Sequence, residues 1–91
     1  MKRVTAQVKG RVQGVSFRYN SQLLARKMGL SGWIRNEPDG SVYVLAEGPR
    51  PVLEEFIEYL SRGPRSAKVE SLITNWSDAS GEFNSFEIRW I

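Results

Sequence analysis

The chain contains no cysteine and no histidine. Without cysteine there is no disulfide framework, no thiolate metal site and no thiol nucleophile, and the composition fits a reducing compartment. Without histidine there is no Ser-His-Asp triad, no imidazole metal ligand and no side chain that ordinarily titrates near neutrality. Long apolar runs are missing too. The longest, residues 42–46, falls far short of the ~20 residues a spanning helix needs. Lys2 and Arg3 make the start basic, but Gln7 and Lys9 break the apolar region a signal peptide requires. These features point to a cytoplasmic protein with no membrane partner. Its chemistry must run on Arg, Lys, carboxylates, amides, hydroxyls and backbone.

What is present describes an ordinary small globule. At 91 residues, 41% hydrophobic and 25% charged, the chain is expected to form one domain over 1–91 around one core. The net charge of +3 conceals an asymmetry: residues 1–36 hold eight basic groups and no acid, whereas 37–91 hold five basic groups and all ten acids. Either the charges interleave on the folded surface, or the first third of the chain builds an anion site. Charge alone leaves both open.

Periodicity supplies the elements. Val4, Ala6 and Val8 alternate with Thr5, Gln7 and Lys9, a half-buried strand. Phe17, Ser21, Leu24 and Met28 lie at helical spacing, with Gly29 as the stop. Residues 32–36 and 41–47 flank Pro38-Asp39-Gly40 and read as a hairpin, with Val42, Val44 and Ala46 on one face. A second helix is expected with Pro51 at its first position and Glu54 and Glu55 near its positive end; its stripe is Val52, Leu53, Phe56, Ile57 and Leu60, and Gly63-Pro64 ends it. Strands at about 67–76 and 83–90 complete the chain. The order β-α-β-β-α-β plus a terminal strand predicts an α+β, ferredoxin-like sandwich, with two helices on one face of an antiparallel sheet.

The segment 10–18, G-R-V-Q-G-V-S-F-R, joins the first strand to the first helix. Unpaired N–H groups and a partial positive charge at a helix start, preceded by a glycine-bearing loop, can converge on an anion. Arg18, in the first turn, can add a guanidinium fork. Two glycines equally serve a plain tight turn with Arg18 solvated, and spacing does not choose. No G-K-[ST] and no G-x-G-x-x-G is present, which argues against nucleotide loops. A second segment, G-W-I-R-N at 32–36 followed by Gly40, Val42 and Gly48, places Asn36 where a strand enters the hairpin.

Together these segments resemble the two signatures of the acylphosphatase family. G-R-V-Q-G-V-S-F-R is similar to G-x-V-Q-G-V-x-F-R, and residues 32–48 match the second signature with every glycine in register. Phe86-Glu-Ile-Arg-Trp90 resembles the family's closing strand, so the likeness runs essentially end to end. Ile34 is bulkier than the residue usual there, and Ser16 occupies a variable position.

The resemblance implies metal-independent hydrolysis of the carboxyl-phosphate bond of acyl phosphates, with no cofactor. It assigns Arg18 and Asn36 as catalytic, and the backbone amides of Gln13, Gly14, Val15 and Ser16 as the phosphate cradle. Inorganic phosphate or sulfate is the expected site ligand, and a monomer the expected state. An acyl phosphate carries a good leaving group, so positioning and charge stabilisation suffice without a strong base. Arg35 should face away from Asn36 by strand alternation, Arg11 is expected to be solvated, and Trp33, Trp76 and Trp90 are expected to pack. A nucleic-acid module is the competing reading, given a pI near 9.6, but the first strand lacks the aromatics such a sheet presents. A binding domain with little turnover is the other, as in large hydrogenase-maturation carbamoyltransferases, which are much longer and carry Cys-rich zinc modules.

Overall fold

In the computed structural model, which describes residues 1–90, the period-two segments become strands of one sheet and the two amphipathic stripes become helices above it. The elements are β1 (Lys2–Arg11), α1 (Phe17–Lys27), β2 (Ser31–Asn36), β3 (Val42–Gly48), α2 (Arg50–Arg62), β4 (Lys68–Asp78) and β5 (Phe86–Arg89). The sheet order is β4-β1-β3-β2-β5. The ferredoxin-like expectation holds. One detail differs: β5 pairs with β2 in parallel, so the sheet is mixed. The cause is the 79–85 connection. It crosses from the end of β4 at one edge to the opposite edge at the same end of the sheet, so β5 runs back against β4 and therefore in the direction of β2.

Strand alternation decides which side chains are buried. Val4, Ala6 and Val8 of β1 and Val42, Val44 and Ala46 of β3 are all essentially inaccessible, as is Ile34 of β2. Val4 faces Ala46, Ala6 faces Val44 and Val8 faces Val42 in the β1–β3 register. Over this floor α1 lies against β2 and β5, and α2 against β4 and β1. The buried helical residues are Phe17, Ser21 and Ala25 of α1 and Leu53, Phe56 and Leu60 of α2. Phe56 meets Phe86 edge to face, with centroids 5.7 Å apart.

The start of α2 departs from expectation. Arg50 takes the first helical position and Pro51 the second, so Glu54 and Glu55 fall beyond the first turn, which carries no acid. Pro49 caps the start instead: extended, its carbonyl accepts from the N–H groups of Val52 and Leu53 at 3.1 and 3.0 Å. The opposite sheet face also holds a pair the sequence did not announce. Trp33 and Tyr43 stack there with centroids 5.8 Å apart. Arg35 and Arg89 lie 4.9 and 5.1 Å from the same indole.

The 79–85 connection is anchored by a buried carboxylate. Glu47 is only 4% exposed. It accepts from Arg3 Nε at 2.7 Å, the Ser80 N–H at 2.9 Å, the Ser80 hydroxyl at 3.2 Å and the Gly81 N–H at 3.1 Å. Burial pushes its carboxyl up, but the Ser80 N–H, Arg3, the Gly81 N–H and the Ser80 hydroxyl together hold it below the ordinary glutamate value. A depressed folded pKa means stabilisation that is complete above the unfolded value, roughly 4.3, and is lost as pH falls through the folded one. Glu47→Gln is therefore expected to destabilise at pH 7, with the gap to wild type narrowing in acid. Urea midpoints at pH 7, 4 and 2.5 check this; a constant gap contradicts it.

Candidate active site

β1 and β2 run in the same direction, because each is antiparallel to β3. Their C-terminal ends therefore meet at one end of the sheet, and Val8, Val42 and Asn36 share one row across it. This places the loop after β1 beside the last residue of β2. The two signature segments, 18 residues apart between Arg18 and Asn36 in the sequence, converge there.

Residues 12–16 form the loop, pinned at both ends by apolar anchors: Val12 and Phe17 are each 1% exposed. Between them Gly14 (φ +72°) and Ser16 (φ +61°) adopt left-handed backbone, the alternation that turns successive N–H groups into a concavity. Ser16 is the one non-glycine residue with positive φ among the described residues, and it stands at the N-cap of α1 without a side-chain capping bond. No acid occupies the first turn. The first-turn N–H groups and the helix dipole thus face outward without a protein anion. The other glycine of the motif has a different task. Gly10 sits at the register shift between β1 and β4, where an added Cβ would strike the Lys68 carbonyl oxygen. One glycine shapes the cradle and the other lets β4 close beneath it.

The loop is also braced from outside. Gln13 Nε2 donates to the carbonyls of Glu37 and Ser41 at 2.8 and 2.9 Å, fastening the loop to the β2–β3 turn one residue from Asn36. The Ser66 hydroxyl donates to the Val15 carbonyl at 2.8 Å from the α2–β4 connection. The turn itself is tight: the Glu37 N–H reaches the Ser41 carbonyl at 2.8 Å, and Asp39 accepts from the Ser41 N–H at 2.9 Å. The Ser41 hydroxyl and then its N–H hold the Asp39 carboxyl below its ordinary value.

A cavity of about 210 Å³ opens against the loop, lined by Gly14, Ser16, Arg18 and Asn36 and walled by Val12, Phe17, Tyr19, Ile88 and Trp90. Of the expected site residues, Gly14, Ser16, Arg18 and Asn36 come together here. Gln13 and Val15 do not line the cavity; the Gln13 side chain and the Val15 carbonyl serve the two braces instead. Arg18 is the one charged residue in the lining, and no carboxylate is among it. The Asn36 Oδ1 is buried and has no hydrogen-bond partner among the described residues, an unmet acceptor of the kind that normally holds a water or a ligand. Among the described residues, no group of three or more carboxylates assembles that could hold a metal ion.

The neighbouring cations divide as strand alternation requires. Arg35 turns away, pairs with Glu37 at 3.1 Å and stacks on Trp33. Lys2, Arg3 and Arg26 pair with Asp78, Glu47 and Glu87. Among the described residues Arg11 and Arg18 enter no ion pair, and Arg11 is exposed. Both readings of the charge asymmetry therefore hold in part: among the described residues four of the eight N-terminal cations, Lys2, Arg3, Arg26 and Arg35, meet C-terminal acids, while Arg18 is left open at the cavity.

Trp90 overturns an expectation. Its ring was expected to pack, continuing the alternation of Phe86 and Ile88, yet it is 77% exposed and lies 4.3 Å from the Arg18 guanidinium. The strand ends at Arg89, so Trp90 sits beyond the sheet and outside the reach of a period-two argument. The Gln13 brace was likewise invisible, since a loop glutamine carries no positional signal. Gln13→Ala is expected to lower stability by about 1–2 kcal/mol through two lost, part-buried hydrogen bonds to the Glu37 and Ser41 carbonyls. It should also weaken phosphate binding several-fold by loosening the cradle. Urea unfolding and phosphate titration check this; unchanged phosphate affinity contradicts the bracing role.

The acylphosphatase family matches residues 4–88. An acylphosphatase of Salinibacter ruber is 50% identical over 88 residues, covering 97% of this chain and 93% of the relative. One of Thermus thermophilus is 49% identical over 81 residues, covering 89% and 92%. The crystal structure of acylphosphatase from Bacillus subtilis superimposes with a TM-score of 0.94 at 39% identity, covering 98% of this chain and 99% of that one. With the family signatures matched in sequence and the whole fold matched in space, the chain belongs to the acylphosphatase family.

Proposed function

We propose that this protein is an acylphosphatase, hydrolysing the carboxyl-phosphate bond of small-molecule acyl phosphates to a carboxylate and inorganic phosphate. In this reading the N–H groups of the 13–16 loop and the Arg18 guanidinium hold the phosphoryl oxygens. Asn36 orients the attacking water through its free Oδ1. The water oxygen bonds to phosphorus as the bond from phosphorus to the acyl oxygen breaks. The electron pair leaves with the carboxylate, and a phosphoryl oxygen takes the water's proton. The leaving group is good, so preorganised donors aimed at the transferring group supply the acceleration. The proposal includes a cytoplasmic monomer acting without metal, cofactor or nucleic acid.

The observation that carries the reading is the meeting of three features at one cavity: an arginine with no ion pair and an asparagine with an unmet acceptor, both among the described residues, and a left-handed loop at a helix N-terminus. Each alone is commonplace. Their joint geometry suits a tetrahedral anion with a water held beside it. The cavity lies below the ~300–1,000 Å³ typical of drug-sized sites, which matches a small substrate.

Benzoyl phosphate hydrolysis in excess EDTA tests it. Wild type should turn over. Arg18→Ala should lose roughly two to three orders of magnitude in rate, by analogy with removing one oxyanion donor. Asn36→Ala should lose kcat while inorganic phosphate still competes. An inert wild type that binds phosphate contradicts the hydrolytic reading. The rate at saturating substrate should stay level between pH 5 and 8. The resolved carboxylate shifts, at Asp39, Glu47, Asp78 and Glu87, are all downward, and the Tyr59 shift is upward. Both directions lead away from that window. A steep bell near pH 6.5 contradicts the absence of a protein acid–base group.

A further inference from the structure

Arg18 must present its N–H groups to a phosphoryl group, yet among the described residues no carboxylate holds it in place. Among the described residues its guanidinium enters no ion pair, and it lies 4.3 Å from the centroid of the Trp90 ring. Arg89, over Trp33 at 5.1 Å, also enters no ion pair among the described residues but does not line this cavity, and two other stacked arginines differ. Arg35 stacks on Trp33 but also has Glu37 at 3.1 Å, and Arg50 stacks on Trp76 with Glu54 at 3.9 Å. A carboxylate partner takes up in-plane N–H groups and cancels charge. An aromatic face grips the guanidinium by its π-surface and leaves the in-plane donors and the charge free.

Trp90 itself lacks a packing rationale. It is 77% exposed, it follows the last residue of β5, and it lines the same cavity as Arg18 and Asn36. Ile88, two residues earlier, lines that cavity too and is packed against the core, so the chain leading to the indole is fixed although the ring is not buried.

We propose that Trp90 is a positioning residue for the reaction: its ring holds one face of the Arg18 guanidinium so that the in-plane N–H groups point at the phosphoryl site before substrate arrives. The inference rests on the reading that Arg18 binds the phosphoryl group. It makes the terminal segment after β5 part of the active site, acting through Arg18 and not through the substrate's acyl group.

The test compares wild type, Trp90→Leu, Trp90→Phe and Arg18→Ala. The readouts are the inhibition constant of inorganic phosphate, kcat/KM for acetyl phosphate and for benzoyl phosphate, and Tm. Trp90→Leu is expected to keep Tm within about 4 °C, since the ring is exposed. It should weaken phosphate and lower kcat/KM roughly fivefold, by the same factor on both substrates. Trp90→Phe should recover most of that loss, because it restores an aromatic face. A loss confined to benzoyl phosphate overturns the proposal by assigning the ring to the acyl group. Wild-type kinetics in Trp90→Leu, with Arg18→Ala inactive, overturns it while leaving the phosphoryl site standing. Wild-type hydrolysis in Arg18→Ala removes the site assignment and this inference together.

Discussion

The structure turns on a loop that cannot hold its own shape. Residues 12–16 must keep Gly14 and Ser16 left-handed and leave their amides open. A non-glycine residue there costs roughly 1–2 kcal/mol. The free amides return nothing until an anion arrives. What maintains the conformation lies outside it: the buried side chains of Val12 and Phe17 at either end, the Gln13 bonds to the β2–β3 turn, and the Ser66 bond from beneath. Strain stored at one point and stabilised by its surroundings is how preorganised donors are obtained. The sandwich of helices on a sheet serves here as the frame for those braces.

Charge is distributed to the same end. At the end of the sheet where β1 begins and β3 finishes, Glu47 collects Arg3 and the Ser80 and Gly81 amides. At the other end, Arg18 faces a cavity with no carboxylate in its lining. Acids from the second half of the chain neutralise Lys2, Arg3, Arg26 and Arg35 but do not reach Arg18. A lone guanidinium of this kind is poorly explained by stability and well explained by a ligand.

Much of this was legible in the residues. The alternation of Val4, Ala6, Val8 and of Val42, Val44, Ala46 fixed the sheet's buried face, because a period of two leaves no freedom once one face is covered. Arg18 and Asn36 stood out through their signatures, and alternation alone separated Arg35 from Asn36. Three things were not legible. The parallel placement of β5 depends on where the 79–85 connection crosses, a long-range matter that Glu47 settles by bonding Ser80 and Gly81. Trp90 lies past the end of its strand, where alternation no longer governs direction. Gln13 acts through carbonyls more than twenty residues away, at Glu37 and Ser41.

The most direct test of the central claim is a phosphate titration of the metal-free protein followed by amide NMR. The account predicts saturable shifts concentrated at the amides of the 13–16 loop, at the Arg18 side-chain Nε–H and at the Asn36 side-chain amide. The strands of the opposite sheet face should stay unmoved. Shifts centred elsewhere, or none at saturating phosphate, would contradict an anion cradle at the start of α1.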